Sequence, residues 1–248
     1  MGESAAQLTW QNPGVPILVA IPGTLCSPRV FDPLARGLAG AVTVDAVDWM
    51  TAPGPWRIDD VAARVVRRVE RRYGRRVLVA GHSTGGAIAM ALAAARPDLV
   101  SGLLLANTGA HMRGHGDVDR IVDAIDGEWG PRLHAAVLDR SFATPLPPAE
   151  RDALLAYAAS VPQAAAAEVL RDQRDRDLTP ELARITCPVT LLHGTLDGAR
   201  SPADARTVAD ALPDCELRTL HTGHTPLWED VPAAVTAVRD LLTRVRER

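Results

Sequence analysis

Six short apolar runs recur along this chain, and longer helical patterns separate most of them. The runs are residues 16–21 (PILVAI), 41–47 (AVTVDAV), 76–81 (RVLVAG), 99–107 (LVSGLLLAN), 188–194 (PVTLLHG) and 215–221 (CELRTLH). Most are rich in Val, Leu and Ile with little alternation, as strands buried on both faces of a parallel sheet must be. Parallel strands need crossovers, and the intervening patterns supply helices for them. Residues 58–73 put Val61, Val65, Val66 and Val69 on one face and arginines on the other. The stretch TGGAIAMALAAA, 84–95, is apolar nearly all round and predicts a buried helix. Residues 201–213 begin with a Ser201 cap and Pro202 at the first helical position, then stop at Pro213. An amphipathic helix closes the chain over 231–248, and LTWQN at 8–12 adds an edge strand. Together these patterns predict an α/β domain, with helices on both faces of a mostly parallel sheet.

One region breaks the alternation. Residues 110–184 hold four helical patterns (118–125, 130–140, 147–160 and 162–177) and no convincing strand. The expected division is therefore a core of 1–109 and 185–248 with a helical insertion at 110–184. Such an insertion between two strands is placed to act as a lid over the strand ends, or it is an ordinary helical subdomain.

Charge and cysteine usage narrow the partners. The formal net charge of −3 gives no electrostatic reason to expect nucleic acid or an anionic membrane. All 27 basic residues are Arg, which reads as coding bias rather than function. Cys26, Cys187 and Cys215 are scattered and odd in number, so reduced thiols are expected, with no metal-ligand spacing among them. The opening MGESAAQLTWQNPG lacks the basic and apolar regions of a secretory signal, and no apolar run is long enough for a bilayer. A cytoplasmic protein needing no metal or cofactor is expected, and oligomeric state is not legible.

The chemistry centres on Gly81-His82-Ser83-Thr84-Gly85, a G-x-S-x-G motif between a buried strand and a small-residue helix. In that setting a serine sits on a sharp turn with the helix N-terminus behind it, which favours a nucleophile over a plain turn residue. A serine nucleophile needs a histidine base and an acid to orient the base, in chain order Ser, acid, His. Asp197 follows the 188–194 strand, and His224 follows the last strand in a Gly-His loop. Asp177 reads instead as a surface charge or cap. His82 is expected to pack beneath the turn, His193 to sit on its strand, and His221 to remain within the strand run. His111 and His115 have i,i+4 spacing, but Gly114 and Gly116 favour a loop over a metal pair.

With PILVAIPGTLCSPRVFDPL, GHSTGG, LLHGTLDGARSP and HTGHTPLWEDVPAAV in this order, the chain resembles the small lidded serine hydrolases of the α/β-hydrolase fold superfamily. The resemblance spans nearly the whole sequence and favours the lid. It implies Ser83 as nucleophile, Asp197 as acid and His224 as base. It also implies an oxyanion hole from the backbone N–H of Thr84 and a second N–H after the first clear strand. That loop reads Pro22-Gly23-Thr24-Leu25 where many relatives carry His-Gly; Thr24 is the expected donor and Leu25 the alternative. Candidate substrate contacts are Leu25, Trp129, Phe142, Tyr157 and Trp228. The implied reaction is cleavage of an ester, lactone or thioester of a small-molecule acyl substrate through an acyl-enzyme. The same triad also serves perhydrolases and haloperoxidases, C–C hydrolases, lyases and acyltransferases. A non-catalytic ligand-binding protein is the third reading.

Overall fold

The computed structural model describes residues 14–113 and 118–248. The chain runs β1 (Ile17–Ile21), α1 (Asp32–Gly37), β2 (Thr43–Ala46), α2 (Ile58–Arg72), β3 (Val77–His82), α3 (Thr84–Ala95) and β4 (Val100–Ala106). Five helices follow: α4 (Val118–Gly127), α5 (Pro131–Arg140), α6 (Pro148–Ser160), α7 (Gln163–Asp175) and α8 (Thr179–Leu182). The chain then closes with β5 (Val189–Gly194), α9 (Pro202–Ala211), β6 (Cys215–Leu220), α10 (Pro226–Glu229) and α11 (Val231–Arg246). The expected strand at 8–12 lies outside the described residues.

The six strands form one sheet in the order β2-β1-β3-β4-β5-β6, with every neighbouring pair parallel. Alternate residues feed opposite cores. Val19, Val79, Leu105 and Val189 pack with residues of α2 and α3, while Leu18, Leu78, Leu104 and Leu192 pack with residues of α1 and α11. Both faces are therefore covered, which is why the central strands read as unbroken apolar runs. The edge strands β2 and β6 are only half-buried, and they carry Asp45, Glu216 and Arg218.

Helix α3 is buried along almost its whole length, which accounts for its apolar circumference. Helix α2 turns Ile58, Val61, Val65 and Val69 inward. At α9 the expected cap is a full capping box. Ser201 Oγ accepts from the Asp204 N–H, and the Asp204 carboxylate accepts from the Ser201 N–H at 2.8 Å. Helices α4 to α7 match the four patterns between β4 and β5. The short α1, α8 and α10 carried no periodic signal, because 6, 4 and 4 residues are too few to show one. Among the described residues no single helix is long and apolar enough to cross a membrane.

From β1 the chain first adds β2 on one side, then β3 and all later strands on the other. In open parallel sheets such a reversal leaves a crevice beyond the carboxyl ends of the two strands, here β1 and β3.

Candidate active site

The turn from β3 into α3 puts Ser83 at that crevice. Ser83 has φ 55° and ψ −124°, a conformation a residue with a Cβ adopts only under constraint. The constraint is visible. The Ser83 N–H donates to Ala106 O at 2.9 Å, while Ser83 O accepts from the Gly86 N–H (2.8 Å) and Thr108 Oγ1 (2.7 Å). A Cβ at Gly85 would lie 2.0 Å from Ile21 O, so only glycine lets α3 start this close to β1.

Asp197 and His224 come together from the loops after β5 and β6. His224 Nδ1 lies 2.8 Å from Asp197 Oδ2. A carboxylate oxygen accepts, so Nδ1 carries a proton, and in the neutral ring Nε2 is then the atom with the lone pair. Asp197 also accepts from Asn107 Nδ2 at 2.6 Å and from the Ala199 N–H at 2.7 Å. Burial pushes its pKa up, but the His224 hydrogen bond and charge, with those from Asn107 and Ala199, outweigh it. They hold the carboxyl well below the usual range. Ser83 and His224 line one cavity of about 650 Å³, within the size range of small-molecule sites. Among the described residues they share no direct hydrogen bond, and such contacts commonly tighten only when substrate is bound.

The two loops expected to supply oxyanion donors are tied together. Thr24 Oγ1 donates to Thr84 Oγ1 at 2.9 Å, and Thr84 Oγ1 donates to Gln173 Oε1 at 3.0 Å. The Leu25 N–H is engaged by Met50 Sδ at 3.0 Å, while the N–H groups of Thr24 and Thr84 have no protein acceptor among the described residues. That difference favours Thr24 over Leu25 as a donor.

The candidate pocket residues fall into two groups. Leu25 and Phe142 line the cavity, whereas Trp129, Tyr157 and Trp228 do not. Trp129 packs edge-on against His134 at 4.7 Å, and Trp228 against Phe142 at 6.3 Å, each one layer behind the wall. Tyr157 turns its hydroxyl to Asp48 Oδ1 at 2.7 Å, the partner a partly buried phenol needs.

His82 lies beneath the turn as expected, with Nε2 2.9 Å from the His224 backbone O and its ring 5.1 Å from the His224 ring. Since the carbonyl only accepts, Nε2 bears the proton. Nδ1 is buried without a partner. Burial above all, and then His224, push its pKa down to about 3. His193 is buried on β5, and its pKa is likewise lowered by burial. His221 falls one residue past β6 and is exposed. Asp177 pairs with Arg113 and accepts from the Thr179 N–H, as a surface charge and cap. His115 lies outside the described residues, so the His111/His115 pair is not described.

Three site residues escaped sequence reasoning. Asn107 joins three loops: Nδ2 donates to Asp197 and to Gly223 O, while Oδ1 accepts from the Gly194 N–H at 3.1 Å. Its signal was available, since an Asn closing a strand tolerates the positive φ of 45° it adopts. Gln173 and Arg200 carried none. Glu229 Oε2 accepts from the N–H groups of Gly223 and Ala143, and Thr225 Oγ1 donates to Ser141 O. The His224 loop is thereby fastened to the segment joining α5 and α6.

The sequence profile of the Alpha/beta hydrolase family matches residues 18–238. "Lipase LipV" of Mycobacterium tuberculosis is 41% identical over 71 residues, which are 29% of this chain and 27% of that protein. A hydrolase structure from Pseudomonas aeruginosa superposes with TM-score 0.82 at 22% identity, covering 93% of this chain and 91% of that one. An enol-lactonase structure from Burkholderia xenovorans gives TM-score 0.82 at 24% identity, covering 94% and 93%. At those identities the two structures establish a shared fold.

Proposed function

This chain belongs to the alpha/beta hydrolase family, and we propose that it is a serine hydrolase cleaving a carboxylic ester, lactone or thioester through an acyl-enzyme on Ser83. The observation that carries the reading is the His224–Asp197 hydrogen bond on the same cavity as a strained serine at a helix N-terminus. In the proposed mechanism His224 Nε2 takes the Ser83 hydroxyl proton as Oγ attacks the carbonyl carbon. The resulting tetrahedral oxyanion is received by the N–H groups of Thr84 and Thr24. Collapse breaks the bond to the leaving oxygen or sulfur, which takes the proton from His224; an ester or thioester releases an alcohol or thiol, while a lactone's hydroxyl stays on the acyl chain. A water molecule, deprotonated by His224, then attacks the acyl-enzyme; collapse breaks the acyl bond to Ser83 Oγ, which takes that proton back from His224 as the acid leaves. Asp197 stays ionised throughout and holds the imidazole in the tautomer that exposes Nε2. The helices between β4 and β5 act as the lid over this site, excluding water from the oxyanion.

The test is covalent labelling by a fluorophosphonate together with turnover of 4-nitrophenyl esters of graded chain length, acyl thioesters and lactones. Wild type should label and turn over at least one class, and Ser83→Ala should do neither. Ester turnover surviving in folded Ser83→Ala would overturn the mechanism.

A further inference from the structure

Arg200 is 5% exposed, and among the described residues it is the one Arg, Asp or Glu that is buried as a whole residue. It lies on the loop after Asp197 and lines the same cavity as Ser83 and His224. Its Nη1 donates to His111 O at 2.8 Å, leaving Nε and Nη2 without a protein acceptor among the described residues. Those two nitrogens are not sealed in the interior, unlike Nε of Arg76 and of Arg176. Burial pushes the guanidinium pKa down, with Asp204 and Asp197 partly countering it through space, yet an arginine remains a cation at neutral pH.

The unused edge is the one this chain uses elsewhere to grip carboxylates. Nε and Nη2 of Arg68 reach Asp45 at 3.0 and 2.7 Å, and those of Arg96 reach Asp98 at 2.8 and 2.7 Å. Arg151 holds Asp139 the same way at 2.9 and 2.8 Å. A buried cation is costly unless a counter-charge meets it, and the planar fork fits a carboxylate bidentately. The other charged residues on the cavity wall, Arg120, Asp123, Glu128 and Arg140, are exposed at its rim, where solvent screens them.

We propose that Arg200 receives a carboxylate carried by the substrate, so that this site prefers anionic esters. The inference rests on the reading that Ser83 attacks a substrate in this cavity. Two matched pairs test it. The 4-nitrophenyl monoester of adipic acid is compared with the same ester bearing a neutral terminal amide, placing the charge on the acyl part. For charge on the leaving group, 4-carboxyphenyl butyrate is compared with 4-carbamoylphenyl butyrate.

In wild type the anionic member of at least one pair should have the higher kcat/KM. Arg200→Gln should lower that anionic-to-neutral ratio about 10- to 100-fold, mainly through KM, and Arg200→Lys should restore part of it. A ratio unmoved in both pairs overturns the proposal. Should Arg200→Gln fail to fold, inhibition of wild type decides. Adipate should inhibit hydrolysis of a neutral ester at least about ten-fold more tightly than adipamide, and equal inhibition overturns the proposal. The two readings fail separately: ester turnover in Ser83→Ala removes the Ser83 mechanism. Loss of turnover there with an unmoved Arg200 ratio removes the carboxylate site alone.

Discussion

Replacing Ser83 by glycine should leave the chain more stable than replacing it by alanine, and the difference measures strain held at the turn. At φ 55° and ψ −124° the Cβ of Ser83 meets its own backbone, at a cost of about 1–3 kcal/mol for a residue so placed. Ser83→Ala keeps the Cβ and therefore the strain, whereas Ser83→Gly removes both. Glycine gives some of this back through the extra freedom of the unfolded chain, about 0.4–1 kcal/mol. With strain near the middle of its range, the net gain for glycine is about 1 kcal/mol. The Ser83 N–H bond to Ala106 O is a backbone contact available to both variants, so it cancels. Neither variant has the hydroxyl, so acylation does not enter the comparison. Guanidinium unfolding with linear extrapolation gives the difference, and about 1 kcal/mol corresponds to roughly 2–4 °C in Tm for a domain of this size. A Ser83→Gly variant no more stable than Ser83→Ala would mean that the turn is unstrained and that its conformation has no energetic cost.

Acid stability should depend on His82. Its native pKa of about 3 lies below the unfolded value near 6.5, so the native state binds fewer protons between those limits. Stability is present above about pH 6.5 and lost as pH falls toward 3, by up to about 1.4 kcal/mol per unit. His82→Gln should flatten that slope, measured by denaturant unfolding at pH 6.5 and 4.5; parallel curves for variant and wild type would sink the account. Gly85→Ala should destabilise by about 3 kcal/mol or more, because its methyl would sit 2.0 Å from a backbone oxygen that has nowhere to go. Gly127→Ala, with nothing within 4 Å of the added methyl, should change stability by no more than about 0.5 kcal/mol. Similar Tm values for the two would contradict the close-approach reading.

The central strands were legible because burial on two faces leaves an unbroken apolar run. The helices from α2 onward that exceed two turns were legible because they are long enough to show a period. Ser83, Asp197 and His224 could be nominated because each follows a recognisable strand in the order a hydrolase of this fold requires. What the sequence hid was direction. Trp129, Tyr157 and Trp228 have the right residue types and lie near the site along the chain, but which way a ring turns depends on contacts distant in sequence. Tyr157 faces Asp48, 109 residues away, and Gln173 meets Thr84, 89 residues away. Arg200 was unremarkable in GARSP; only the packed structure reveals a buried guanidinium that, among the described residues, has no carboxylate partner.

The non-glycine residues with positive φ among the described residues are Leu25 (58°), Ser83 (55°) and Asn107 (45°). They follow β1, β3 and β4, three strands that are neighbours at the centre of the sheet. Backbone conformations of this kind cluster at functional sites and persist where the surroundings over-determine them. Each residue is held by a bond from its own N–H: Leu25 to Met50 Sδ, Ser83 to Ala106 O, and Asn107 to Leu192 O at 3.0 Å. The holds interlock, because Ala106 immediately precedes Asn107, and Asn107 in turn fixes Asp197 and Gly223 beside His224. Next to Leu25, the Thr24 N–H has no protein acceptor among the described residues, Ser83 lies on the cavity wall, and the Asn107 amide meets Asp197. The strand ends therefore place Ser83, Asp197 and the Gly223-His224 loop beside one another, and the segment joining α5 and α6 fastens that loop from the other side. The helices between β4 and β5 also shape the cavity, and Gln173 on α7 links them to Thr84.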